Sequence, residues 1–91
     1  MAVTVRLPTI MRTHAGGQSE VSAQGDTIGQ VVDDLVKQFP GTAAHLKAAD
    51  GGLHKFVNVY LNDEDVRYLG KLETPVKDGD QVSILPAVAG G

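Results

Sequence analysis

The chain has 91 residues, 42% of them hydrophobic and 21% charged, which suits one domain with one modest core and leaves no volume for a deep catalytic cleft. A formal net charge of −3, with Lys and Arg scattered, excludes a protein whose main partner is nucleic acid, because phosphate neutralisation needs a basic stripe. No cysteine is present, which excludes disulfides, thiolate metal sites and a thiol nucleophile.

The opening Met1-Ala2-Val3-Thr4-Val5-Arg6 has no charged segment followed by a long apolar run, so no signal peptide is expected. No apolar stretch approaches membrane-spanning length. The expected location is the cytoplasm, with no membrane partner.

Residues 3–7 alternate apolar and polar, the period of a half-buried strand, with Val3, Val5 and Leu7 inward and Thr4 and Arg6 outward. Pro8 closes this strand. Gly16-Gly17 marks a turn, and Ser19 to Ala23 is a partner strand. Gly25-Asp26 breaks the pattern again. Apolar residues then fall at Ile28, Val31, Val32, Leu35, Val36 and Phe39, one stripe of an amphipathic helix. Thr27 is its N-cap, and Gln30 three residues later completes a capping-box pattern. Asp33 and Lys37 stand at the spacing of a helical ion pair. Pro40-Gly41 ends the helix, and Thr42 to Ala49 holds a further turn or two anchored by Leu46.

Asp50-Gly51-Gly52 reads as a loop. Val57 to Leu61 alternates, with Val57, Val59 and Leu61 inward and Asn58 and Tyr60 outward. Asn62 to Asp65 reads as a polar turn, and Val66 and Tyr68 as a short strand. Leu69 and Leu72 are expected to plug one end of the core. Lys77-Asp78-Gly79-Asp80 is a turn, and Gln81 to Leu85 the last strand, ended by Pro86. A single amphipathic helix must cover one face of the sheet to hide its stripe. The class is therefore α+β, a mixed sheet of four to five strands with the first and last adjacent and parallel. The boundaries are 1–86 for the folded domain and 87–91 for a flexible C-terminal tail.

Candidate chemistry is sparse. His14, His45 and His54 fall in turns or loops at no metal-ligand spacing and read as ordinary polar residues. The cluster Asp63, Glu64, Asp65 lacks the glycine and distal Glu of a calcium loop. It reads as a solvated turn, with partner contact as the alternative. No catalytic and no metal-binding residue is expected. Arg6, Tyr60, Ser83 and Leu85 should share the sheet face away from the helix, where Tyr60 and Leu85 form an exposed apolar pair suited to docking a partner.

The end of the chain is more specific. Ala87-Val88-Ala89-Gly90-Gly91 follows directly from a strand. A frayed terminus also tolerates small residues. A Gly-Gly end, however, has no side chains and can thread a narrow channel. The Gly91 carboxylate is unhindered but has no good leaving group; adenylation by ATP would supply one. Sulfide could then displace AMP and leave a terminal thiocarboxylate, a soft nucleophile able to donate sulfur. No cysteine competes for the activated acyl group.

The ending Ile84-Leu85-Pro86-Ala87-Val88-Ala89-Gly90-Gly91 resembles the ends of the ThiS/MoaD sulfur-carrier family. Leu7-Pro8-Thr9-Ile10, Gly25-Asp26-Thr27-Ile28-Gly29, the run from Phe56 to Arg67 and Asp78-Gly79-Asp80 resemble the branch of that family that serves cysteine biosynthesis. The resemblance covers essentially the whole chain and implies the ubiquitin-like β-grasp fold. It implies that Gly91 is adenylated by a MoeB-like ATP-dependent enzyme and sulfurated, with Ala87, Val88, Ala89 and Gly90 entering partner active sites. It implies two further partners, a PLP-dependent cysteine synthase that accepts the sulfur and a JAMM-type zinc protease that releases cysteine. The carrier would be no enzyme, would bind no cofactor itself, and would be a monomer when free. Molybdopterin, natural-product and tRNA-thiolation pathways use similar tails. A ubiquitin-like modifier forming isopeptide bonds needs the same tail and the same adenylation.

Overall fold

The computed structural model describes residues 2–48 and 57–86. The expected Asp50-Gly51-Gly52 loop, His54 and the 87–91 tail lie outside them. In chain order the elements are β1 (Ala2–Arg6), α1 (Thr9–Arg12), β2 (Glu20–Gln24), α2 (Ile28–Gln38), α3 (Ala43–Leu46), β3 (Val57–Leu61), β4 (Glu64–Asp65) and β5 (Gln81–Pro86). Among the described residues the strands form one sheet in the order β2-β1-β5-β3-β4. β1 and β5 run parallel at its centre, and the other neighbours are antiparallel. This is the β-grasp arrangement, and the expected parallel pairing of the first and last strands is present.

Register explains why one face is dry. Val5 lies opposite Val21 on one side and Val82 on the other, and Val82 lies opposite Leu61. Val3 faces Ala23, and Val59 faces Ile84. Cross-strand partners share a face, so these residues form rows of β-branched and small side chains on one side of the sheet. Over them lies α2, with Ile28, Val31, Val32 and Leu35 buried and Val36 and Phe39 partly so. Burying a side chain of this kind stabilises the fold by about 1.5–3 kcal/mol relative to leaving it in water.

The start of α2 follows the capping logic with one change. The Gln30 amide donates to Thr27 Oγ1 at 3.2 Å, while Gln30 Oε1 accepts from the Asp26 amide, one residue earlier than the usual box. Gly25 makes this fit possible, because a Cβ there would stand 2.7 Å from the Val31 nitrogen. On the other flank, Asp34 and Gln38 of α2 reach the outer edge of β2. Asp34 Oδ2 accepts from the Gln24 amide at 2.9 Å, and Gln38 Nε2 donates to the Ser22 carbonyl at 2.9 Å. These bonds occupy backbone groups that an edge strand otherwise leaves open.

Four local expectations need correction. The segment after Pro8 holds α1 and a 3-10 turn, Thr13–Ala15, that bury Met11 and Ala15. Elements this short show no periodicity, so the sequence reads as loop. Asp33 pairs with Lys47 rather than Lys37, because α3 brings Lys47 to the side of α2. The short strand lies at Glu64–Asp65, not at Val66 and Tyr68. Asn62 and Asp63 both adopt positive φ, 49° and 74°, making a two-residue hairpin turn that sends the chain straight back along β3. A 3-10 turn, Val66–Tyr68, follows, with Val66 buried and Tyr68 85% exposed. Of the two leucines expected to plug the core, Leu72 packs against it, but Leu69 is exposed just past that turn.

Candidate functional site

The face of the sheet turned away from α2 carries a polar row set by the same register. Glu20 lies opposite Arg6, Arg6 opposite Ser83, Ser83 opposite Tyr60, and Tyr60 opposite Asp65. The row is pinned at both ends by ion pairs. Arg6 Nε stands 3.3 Å from Glu20 Oε2, and Arg67 Nη2 stands 2.9 Å from Asp65 Oδ2. The Arg67 side chain hydrogen-bonds Asp65 and holds its carboxyl below the ordinary range; burial of the group opposes this but does not win. Asp65 Oδ1 also accepts from the Arg67 amide at 2.9 Å, so one carboxylate both caps the 3-10 turn and holds the guanidinium.

One residue pair further along β5 the face turns apolar. Leu85 is 48% exposed and lies opposite Asn58, and Pro86 follows it. Asn58 Oδ1 is enclosed without a hydrogen-bond partner, an arrangement that costs about 1–3 kcal/mol.

Arg6, Tyr60, Ser83 and Leu85, named from alternation alone, all line one concavity of about 680 Å³. Sequence reasoning missed its second wall. Pro8, Thr9, Ile10 and Arg12 line it from the segment around α1. Ile10 is 52% exposed, beside the buried Met11. Arg12 Nε donates to the Leu7 carbonyl at 3.1 Å, which fixes the base of its guanidinium. The sequence hint was a single Met11/Ala15 spacing, one apolar repeat and too short to read as a period; both side chains are buried, and Ile10 beside Met11 faces out. Asp63, at the hairpin turn, lines the same groove and supplies its carboxylate. The groove therefore offers two guanidiniums (Arg6, Arg12), one carboxylate (Asp63), three hydroxyls (Thr9, Tyr60, Ser83) and an apolar floor.

The turn that feeds β5 is stiffened by carboxylate and amide caps. Asp80 Oδ2 accepts from the Lys77 amide at 2.8 Å and Asp80 Oδ1 from Asn62 Nδ2 at 3.1 Å. The backbone bond from Lys77, then the side-chain bond from Asn62, lowers the Asp80 carboxyl from its ordinary value. Asn62 Oδ1 in turn accepts from the Gln81 amide. β5, which leads toward the C-terminus, is thus fixed at its start as well as along both sides.

Ala87, Val88, Ala89, Gly90 and Gly91 lie outside the described residues, immediately after Pro86. His14 and His45, expected to stand alone, are brought together with ring centres 5.4 Å apart. Among the described residues no group of three or more His, Cys, Asp or Glu side chains could hold a metal ion, and no helix is long and apolar enough to cross a membrane.

Comparison with known proteins adds to this geometry. The model of the ThiS family matches residues 5–91, a span that includes the terminal glycines. The sulfur carrier protein CysO of Mycobacterium tuberculosis is 56% identical over 93 residues, covering 100% of both chains. The crystal structure of the M. tuberculosis CysO superimposes with a TM-score of 0.89 at 55% identity, over 94% of this chain and 99% of that one. A chain in the crystal structure of the Amycolatopsis orientalis BexX/CysO complex also gives a TM-score of 0.89, at 54% identity, over 98% of this chain and 99% of that one.

Proposed function

Because the chain belongs to the ThiS family and is a sulfur carrier, we propose that its cargo is carried at the Gly91 carboxylate and delivered to cysteine biosynthesis. The observation that carries this reading is the full-length likeness to a sulfur carrier that extends through Gly90-Gly91. In the proposed cycle a MoeB-like partner uses ATP to adenylate Gly91, releasing pyrophosphate. Sulfide attacks the acyl carbon and AMP leaves, so one carboxylate oxygen is replaced by sulfur. The thiocarboxylate sulfur then bonds the β-carbon of an activated serine derivative on a PLP-dependent synthase, and the activating group leaves with the β-oxygen. A JAMM-type zinc protease cleaves the resulting product and restores the Gly-Gly end. The chain supplies no catalytic residue and binds no cofactor; ATP belongs to the activating partner.

The division of labour follows from the geometry. Residues 1–86 act as a handle, and Ala87 to Gly91 as the segment that enters partner active sites. The groove is the docking face: Leu85, Ile10 and Tyr60 give apolar contact, and Arg6 and Ser83 fix orientation. It ends at Pro86, so a partner seated there meets the tail at its root. The crystal structure of an A. orientalis BexX/CysO complex supports a life spent docking to partner proteins. Deleting Gly91 should abolish ATP–pyrophosphate exchange by the activating enzyme while leaving the thermal midpoint unchanged. Exchange that persists without Gly91 would refute the assignment.

A further inference from the structure

We propose that His14 and His45 form a two-imidazole site for a late first-row divalent cation such as Zn²⁺ or Cu²⁺, apart from the sulfur-carrying end. The two residues are 31 positions apart in sequence. His14 sits on the 3-10 turn Thr13–Ala15 after α1, and His45 on α3. The packing of these segments sets their ring centres 5.4 Å apart, with the planes tilted by 42°.

That distance fits a shared ion. A zinc ion lies about 2.0–2.1 Å from each ligating nitrogen and so about 3.2 Å from each ring centre; at a tetrahedral angle two rings sharing it have centres about 5.2 Å apart. His14 Nδ1 lies against Gly41, so Nε2 is the nitrogen His14 offers, and the broad χ2 of histidine lets the His45 ring turn a nitrogen to the same ion. Both residues also retain access to solvent, His14 exposed and His45 half-buried, which leaves an entry path. Both backbone supports are anchored: Ala15 and Leu46, each next to one of the histidines, are fully buried. The ring positions are therefore held by the core rather than by loose loops.

Gly41 completes the arrangement. A Cβ there would stand 2.4 Å from His14 Nδ1 and 2.9 Å from its Cγ, so the ring occupies space that only glycine leaves open. Neutral imidazole suits Zn²⁺, Cu²⁺ and Ni²⁺ and not the oxygen-seeking Mg²⁺ or Ca²⁺. No third His, Cys, Asp or Glu among the described residues joins the pair in a metal-holding group, so the remaining coordination positions fall to water or to a donor from a second molecule.

The test is a Zn²⁺ titration of the full chain, followed by NMR of the histidine ring protons and by thermal unfolding, with Mg²⁺ as control. The His14 and His45 resonances should shift together along one saturable curve, and the melting midpoint should rise by several degrees at saturation. Both effects should be lost in His14→Gln and in His45→Gln, and retained in His54→Gln. Gly41→Ala, which displaces the His14 ring without altering a ligand, should weaken binding. A zinc response confined to one of the two rings, one that survives His45→Gln, or no saturable response would overturn the site.

Discussion

The two faces of the sheet are built from the same strands, and often from adjacent residues, yet carry different tasks. Val82 and Ile84 point into the core against α2 and are almost fully buried; Ser83 and Leu85, their neighbours on β5, look out into the groove. The same split divides Val5 from Arg6 and Val59 from Tyr60. Each strand thus has one half committed to stability and one half free to vary with the partner. The proposed cycle needs this separation, because in it several enzymes recognise the chain in turn while its core stays the same. The exposed Leu85 and Ile10 of the groove cost solubility and contribute little to folding, which suits the docking role proposed for that face.

Substitution on the two faces sharpens this contrast. Ile84→Ala should lower stability by about 2–5 kcal/mol, read by urea denaturation, because it opens a cavity under α2. Leu85→Asp, one residue on, should change stability by less than about 1 kcal/mol but weaken productive docking by about tenfold or more. That loss should appear as a raised KM of the activating enzyme for the carrier. Equal loss of stability from the two substitutions would break the distinction between the faces. Thr27→Ala removes the cap that starts the covering helix and should cost about 1 kcal/mol, with docking untouched.

The smallest expected effect is on pH dependence. Asp65 and Asp80 have carboxyls below their ordinary values. Their contribution is therefore present above the unfolded carboxylate pKa, about 3.9, and is lost as pH falls through the lower folded values. Chemical denaturation at a series of acid pH values should show this decline, and Asp80→Asn should flatten it. An Asp80→Asn curve that matches the parent would remove Asp80 from that account.

Much of this was legible in sequence because it rests on strong periodicity. The β1, β3 and β5 alternations and the α2 stripe each place several residues on a face, and the shared groove position of Arg6, Tyr60, Ser83 and Leu85 follows from that alternation. What stayed hidden depends on contacts between distant segments. The α1 wall of the groove is too short to show a period, the Asp33–Lys47 pair needs α3 beside α2, and the His14–His45 approach joins turns 31 residues apart. The β4 position was misread because Val66 and Tyr68 look like strand residues. In fact the positive φ of Asn62 and Asp63 begins the return strand two residues earlier. The Gly-Gly end was read from chemistry and resemblance rather than from geometry.

The central claim concerns the terminal carboxylate, and intact-mass analysis addresses it most directly. The full chain is incubated with a MoeB-like activating enzyme, ATP and sulfide, and the C-terminal peptide is then fragmented. The account predicts replacement of one oxygen by sulfur, located at Gly91 and dependent on ATP. An unchanged mass, with the same enzyme active on another carrier, would contradict it.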